Sequence, residues 1–280
     1  MSSHKSETFY REYTSSGVTA KYTKATAGAG ISHLLDHDYR EIYAEACGLI
    51  PRNAIRGGLR ILEFGCGGGM NLIRLLSMLE DQTIGVESAI GTDFSPVLIE
   101  AAENEAKQYL PETQRQKVQF CLAKNENLMS DLAQGMRLDQ KALENSFHFI
   151  VGVNTFRYCH RSKMELKCAQ DIYRLLVPGG VCVVIDMNDR FPIFRSRVED
   201  LFRKPADRES PADCFLPSLT QYTEPFSKTG FVIRRSEHFC WVPHSSGRIL
   251  RAVCTAMTPI LNAVAKSRAM RSLVVAQKPC

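Results

Sequence analysis

The chain has 280 residues, 44% of them hydrophobic, with a formal net charge of +5, which suits one enlarged α/β domain or two small ones with a packed core. No run of 18 apolar residues occurs, predicting that nothing spans a membrane, and the start Met1-Ser2-Ser3-His4-Lys5-Ser6-Glu7 lacks the apolar stretch of a secretion signal. Ten cysteines are scattered with no Cys-x-x-Cys pair, and Cys121, Cys182 and Cys240 fall in predicted strands, which argues against a zinc site, predicts no metal, and points to a reducing compartment, taken as the cytoplasm.

Residues 1–57 read as a helical cap, with a break at Thr26–Gly30 and an amphipathic helix over Asp36–Leu49. Ile61-Leu62-Glu63-Phe64 then runs into Gly65-Cys66-Gly67-Gly68-Gly69. Glycines at alternate positions let a strand turn sharply into a helix and let a ligand lie against bare backbone. Glu63 narrows that ligand: a carboxylate two residues before the first glycine would repel a pyrophosphate but suits an ammonium or a sulfonium. Met70 also stands where a dinucleotide loop has its third glycine.

Next comes Gly91-Thr92-Asp93-Phe94-Ser95-Pro96, with Ser95 as a helix N-cap and Pro96 at the first helical position. Asp93 lies farther from the glycine loop than the roughly 20 residues usual in such units. Glu80–Ile90 therefore reads as inserted, and Glu87 competes with Asp93. An alternating strand, Val118–Leu122, leads into the polar turn Lys124-Asn125-Glu126. Phe149–Asn154 reads as a strand, Lys163–Leu176 as a helix, Val177-Pro178-Gly179-Gly180 as a turn and Val181–Asp186 as a strand. Two more strands are predicted, over Phe231–Val242 and Met270–Gln277. The connections Met187–Pro217 and Pro243–Arg268 are too long for bare loops. The second carries Ile249, Leu250, Val253, Met257, Ile260, Leu261 and Val264 at helical spacing, with Pro259 expected to break it in two.

In this order, over residues 60–186, these segments resemble the class I (Rossmann-like) S-adenosylmethionine-dependent methyltransferases of small-molecule type. The resemblance implies a three-layer α/β fold around a mostly parallel seven-stranded sheet with an antiparallel last strand. The cap 1–57 would then sit on a domain at 58–280, with lid insertions at 187–217 and 243–268 over the carboxyl ends of the strands. It implies S-adenosylmethionine as cofactor and S-adenosylhomocysteine as product. The implied cofactor residues are Glu63, Phe64, Gly65, Gly67 and Gly69 of the loop, Asp93 and Phe94 at the ribose, and Asn154 after the fourth strand. At the adenine the family normally has an acid; Lys124 cannot accept a hydrogen bond, which leaves that corner to Asn125 and Glu126 or to a backbone carbonyl.

Candidates beside the transferred methyl are His160 as base, Tyr158, and Asp186, with Arg157, Asn188 and Tyr22 toward the substrate. Tyr13 and Tyr22 could offer ring faces to a sulfonium. Each has a plainer reading: Tyr158 and Phe156 as wall residues, Arg157 as a surface ion pair, His160 as a helix-start residue. A base is needed only if the nucleophile must lose a proton.

From Asp189 onward 15 basic residues outnumber 8 acidic ones, and from His238 onward there is no acid. A solvated basic face accounts for this; an anionic substrate, a nucleic acid or a membrane surface are the alternatives. Asn154-Thr155-Phe156-Arg157 lacks the Asn/Asp-Pro-Pro-aromatic signature of methyltransferases that act on base amino groups, which argues against nucleic acid. The expected activity is methyl transfer to a small molecule of specialised metabolism, oxygen or nitrogen favoured and carbon open. The alternative is an RNA or protein methyltransferase using the basic C-terminal region. The apolar face of the second insertion is expected to line a lid or to form a homodimer contact.

Overall fold

The structure, a computed structural model, describes residues 34–191, 216–243 and 247–280. Seven strands form one sheet: β1 (Leu59–Phe64), β2 (Val86–Asp93), β3 (Val118–Leu122), β4 (Phe147–Val153), β5 (Leu176–Met187), β6 (Val232–Phe239) and β7 (Arg271–Gln277), in the order β3-β2-β1-β4-β5-β7-β6. β1 to β5 are mutually parallel, and β7 lies antiparallel between β5 and β6. The expected α/β architecture is present. The helices that matter here are α1 (Tyr39–Gly48), α2 (Met70–Asp81), α3 (Pro96–Tyr109), α4 (Leu128–Met136), α5 (Phe156–Ser162), α6 (Glu165–Leu175), α7 (Leu219–Thr229) and α8 (Arg248–Ala265).

Alternate side chains along a strand point to opposite faces, and both faces of this sheet are covered. Ile61, Phe149, Val183 and Val275 pack under α1 and α2 through Ile42, Ala46, Leu72 and Leu76. Leu62, Ile150, Cys182 and Val274 pack under α4, α6 and α7 through Leu132, Ile172 and Phe226. Burial on both sides is why β1, β4 and β7 read as nearly continuous apolar runs. The strand order reverses between β1 and β4, so the crevice for ligands opens at their carboxyl ends.

Several local expectations are corrected. Glu80–Ile90 is not an insertion: α2 runs to Asp81 and β2 starts at Val86, so a twelve-residue helix and an eight-residue strand account for the long spacing. Glu87 sits near the start of β2, 3.8 Å from the Arg60 guanidinium, at the opposite end of the strand from Asp93. The predicted helix Lys163–Leu176 begins only at Glu165, because Lys163 adopts φ +58° and closes α5. Pro178-Gly179-Gly180 is a bulge inside β5 rather than a turn before it, since Gly179 N–H bonds Lys278 O (3.0 Å) and Gly180 O accepts from Lys278 N–H (2.9 Å). Pairing to a neighbouring strand overrides the local turn preference.

α8 departs most from expectation. Pro259 does not break it. Pro259 and Thr255 both face solvent, so the Thr255 carbonyl that loses its partner can turn to water. None of its eighteen residues is buried; Ile249 and Val264 are 83% and 76% exposed. Six of the seven apolar residues assigned to a lid or a homodimer contact therefore point outward, and Leu261 is half-buried. Arg248–Arg268 is also long and apolar enough, by length and composition, to cross a membrane. A count of consecutive apolar residues overlooks it because Thr255, Thr258 and Asn262 interrupt the run.

Candidate active site

β1 delivers Phe64 to a loop in which three of the four glycines are left-handed: Gly65 at φ +64°, Gly67 at +53° and Gly69 at +77°. A Cβ on Gly65 would lie 1.9 Å from Thr155 Oγ1, so the loop rests on the β4–α5 turn. A Cβ on Gly67 or Gly68 would meet nothing within 4 Å. The open face of the loop is therefore at these two residues.

Glu63 lies beneath this loop, 1% exposed. Its Oε1 accepts from Asn71 Nδ2 at 2.8 Å, and Asn71 Oδ1 accepts from the Tyr43 hydroxyl at 2.8 Å. Its Oε2 is buried with no hydrogen-bond partner. Burial pushes the Glu63 carboxyl up to about 8, against the pull of Asn71 and of the Leu72 backbone N–H. A buried, half-satisfied carboxylate is costly. A cation brought to Oε2 would offset that cost.

Asp93 stands across the loop at the end of β2. Oδ2 accepts from Gly67 N–H and Oδ1 from Ser95 N–H, both at 3.0 Å. Burial raises its pKa while these bonds oppose the rise. Phe94 N–H adds a third bond, and a carboxylate has about four acceptor positions, so it retains acceptor capacity. Past β3, Asn125 Nδ2 donates to Thr155 Oγ1 at 2.7 Å, leaving its carbonyl as an acceptor. Glu126 Oε1 accepts from Ser162 Oγ at 3.2 Å, and Phe94 is half-buried beside Asp93.

The ends of β4 and β5 form a second, self-contained network. Arg157 Nη1 is 3.4 Å from Asp186 Oδ1, and its backbone N–H donates to Asp186 Oδ2 at 3.0 Å. Asp186 is fully buried and the Arg157 side chain is only 15% exposed, so this is a buried ion pair and not the surface pair considered from sequence. Arg157 Nη2 donates to the Tyr158 hydroxyl at 2.9 Å. Asn154, at φ +55°, accepts through Oδ1 from the buried Arg271 guanidinium.

Three residues named from sequence sit elsewhere in function. The Phe64 ring is fully buried under Gly152, where a Cβ would lie 2.2 Å from it, so only its backbone can face a ligand. The His160 side chain is 6% exposed and edge-on to Phe156 and Tyr222, at ring distances of 5.5 and 5.8 Å, with Nδ1 3.7 Å from Glu165. Burial lowers its pKa. It belongs to the packing between α5, α6 and α7, which speaks against the base role. Asn188 spends both amide hydrogens on Ser267 O (3.0 Å) and Ala269 O (2.6 Å), and so clamps the ends of β5 and β7 together. Tyr13 and Tyr22 lie outside the described residues. Sequence reasoning missed Tyr43, Asn71, Thr155 and Arg271. A signal existed for two of them: Asn71 is polar in the first turn of an apolar helix, and Arg271 is charged in an apolar strand.

The family model described as a methyltransferase domain matches residues 55–223, more than half of the chain and every element of this crevice up to α7. The chain belongs to the class I S-adenosylmethionine-dependent methyltransferases. Over 135 residues this methyltransferase is 30% identical to the citrinin polyketide synthase of Monascus ruber, a stretch that is 48% of this chain and 4% of the synthase. Among solved structures it is similar to an S-adenosylmethionine-dependent methyltransferase from Mesorhizobium loti, with TM-score 0.52 and 19% identity over 84% of this chain and 96% of that one. It is similar also to the [4+2]-cyclase SpnF, with TM-score 0.53 and 18% identity over 86% and 81%. At such identity the likeness is one of fold, and a fold can carry more than one chemistry.

Proposed function

We propose that Glu63, Gly67, Gly68, Asp93 and Asn125 hold S-adenosylmethionine and that this methyltransferase passes its methyl group to a small-molecule acceptor. The observation that carries the reading is the unmatched Oε2 of buried Glu63 beside the open backbone of Gly67 and Gly68. A cationic ligand fits there and a pyrophosphate does not. Ionised Glu63 would face the ammonium of the cofactor's amino-acid end. Asp93 would accept from the ribose hydroxyls with its remaining acceptor capacity, and the Asn125 carbonyl from the adenine amino group. When bound, the cofactor supplies a methyl group already activated by the sulfonium.

The chain's remaining task is then to align the acceptor and exclude water. Arg157 cancels the Asp186 charge, and Arg271 holds Asn154 in its left-handed turn, so the acceptor wall is rigid and internally neutralised. With His160 enclosed, the reading favours an acceptor that brings its own lone pair or an acidic proton: an amine, a phenol or a stabilised carbanion. The similarity to a polyketide synthase supports a small molecule of specialised metabolism. Purified protein should be given donor labelled in the methyl group, together with phenols, amines, enolisable ketones and total RNA. Label in a small molecule with matching release of S-adenosylhomocysteine is the expected result. Label confined to RNA or to protein would replace this reading with the macromolecular one.

A further inference from the structure

α8 leaves and re-enters the body at one point. Met270 N–H bonds Cys240 O at 2.7 Å, and the helix lies between them. About 100° separates successive residues on a helix, which places Ile249, Leu250, Val253, Met257, Ile260 and Val264 on one arc. They are 83, 50, 54, 40, 56 and 76% exposed. The flank beside Leu250, about 40° beyond the arc, turns toward the body, where Cys254 packs against the core. Arg248 and Arg251 mark the first turn, Lys266 (paired with Glu237 of β6) and Arg268 follow the last, and no acid occurs from His238 to the end of the sequence. A contiguous apolar face of this size on a soluble domain marks an interaction site.

We propose that α8 is an interfacial helix that lays its apolar face into an anionic lipid bilayer, its flanking arginines meeting the headgroup phosphates. Charge selects this occupant. A second copy docked α8 against α8, in either direction, would set basic ends against basic ends with no acid on the helix to answer them. A nucleic acid would engage the cations and leave six apolar side chains bare. A membrane surface uses both. The helix lies in the plane of the bilayer and does not cross it. Eighteen helical residues span about 27 Å, and a crossing would have to return the chain to Cys240 from the far side. None of the α8 residues invoked here is among those that hold the cofactor, so the lipid contact stands independently of the proposed reaction.

Trp241 is the only tryptophan, and its Nε1 donates to Asn262 Oδ1 on α8 at 2.8 Å, so its fluorescence reports on the helix. The full chain should be floated with phosphatidylcholine vesicles, with and without about a quarter phosphatidylglycerol, and then titrated with the same lipids brominated on the acyl chains. Binding should be roughly tenfold tighter to the anionic vesicles, with Trp241 quenched by the brominated lipid. Val253→Asp/Ile260→Asp should weaken binding at least about tenfold, and Arg248→Glu/Arg268→Glu should abolish the preference for anionic lipid. All four positions are exposed, and the Tm of each variant verifies folding; should one fail to fold, quenching of the unaltered protein decides alone. The proposal is overturned if the protein ignores both vesicles and Trp241 stays unquenched. It is equally overturned if Val253→Asp/Ile260→Asp binds as well as the parent, or if that variant splits a dimer while the parent shows no vesicle binding.

Discussion

At the residue scale, Glu63 couples cofactor affinity to pH. Its carboxyl is raised from an ordinary 4.5 to about 8, so the ligand-free fold favours the protonated form. Its contribution to stability is complete below pH 4.5 and is lost as pH rises through about 8. A cationic ligand needs the ionised form and must expel that proton near neutrality. Affinity for S-adenosylmethionine should therefore climb between about pH 6 and 8 and then level off. Calorimetry in buffers of different ionisation heat should show proton release at neutral pH, and Glu63→Gln should abolish both the release and the climb. Asp93 offers a sharper contrast. Asp93→Ala should cost about 2 kcal/mol or more of cofactor binding, whereas Glu87→Ala, at the far end of β2, should cost almost nothing; the reverse ranking in a binding titration would remove Asp93 from the site. Both acids were legible in the sequence because each is fixed by its neighbours in the chain. His160 was not, since Tyr222, which encloses it, lies 62 positions further along the chain.

At the element scale, the glycine loop separates folding from binding within four residues. Gly65→Ala would place a methyl 1.9 Å from Thr155 Oγ1 at φ +64°, and should lower Tm by several degrees. Gly68→Ala meets open space without a left-handed φ, so Tm should hold while cofactor affinity falls. Unchanged cofactor affinity in Gly68→Ala would mean that the loop's open face is not where a ligand lies. Behind the loop, the Tyr43–Asn71–Glu63 chain runs from α1 through α2 to β1. Tyr43→Phe removes the first bond of the chain and should cost about 1 kcal/mol of stability, measurable as a lower urea midpoint. This link joins the described part of the predicted cap to the crevice. The sequence concealed it because an amphipathic helix announces its apolar face but not which buried polar group waits under it.

At the scale of the whole molecule, α8 is attached to the fold without supporting it. Replacing residues 249–264 with a short Gly-Ser turn should leave Tm within about 3 °C of the parent and cofactor binding intact, because no α8 residue is buried. Thermal melts with and without S-adenosylmethionine test this directly; a loss of binding would return α8 to the role of a lid. The contrast with α2 is instructive, since both helices carry an apolar stripe at the same period. Leu72, Leu75, Leu76 and Leu79 of α2 are buried against the sheet, whereas the stripe of α8 faces out.

The sequence by itself determined where the strands of the crevice fall along the chain, the glycine loop at Gly65–Gly69 and the pair of acids around it. Each of these follows from constraints that act over a few residues: a glycine φ, a cap, a proline at the first turn, an apolar period. Tertiary structure alone decided that Asn188 is a clamp, that Arg157 is a buried partner of Asp186, and that the α8 stripe is bare. Asn188 finds Ala269 81 positions away and Arg157 finds Asp186 29 positions away. A side chain's role depends on what desolvates it and what satisfies its hydrogen bonds, and in this chain those partners come from strands and helices that meet only once the sheet is assembled.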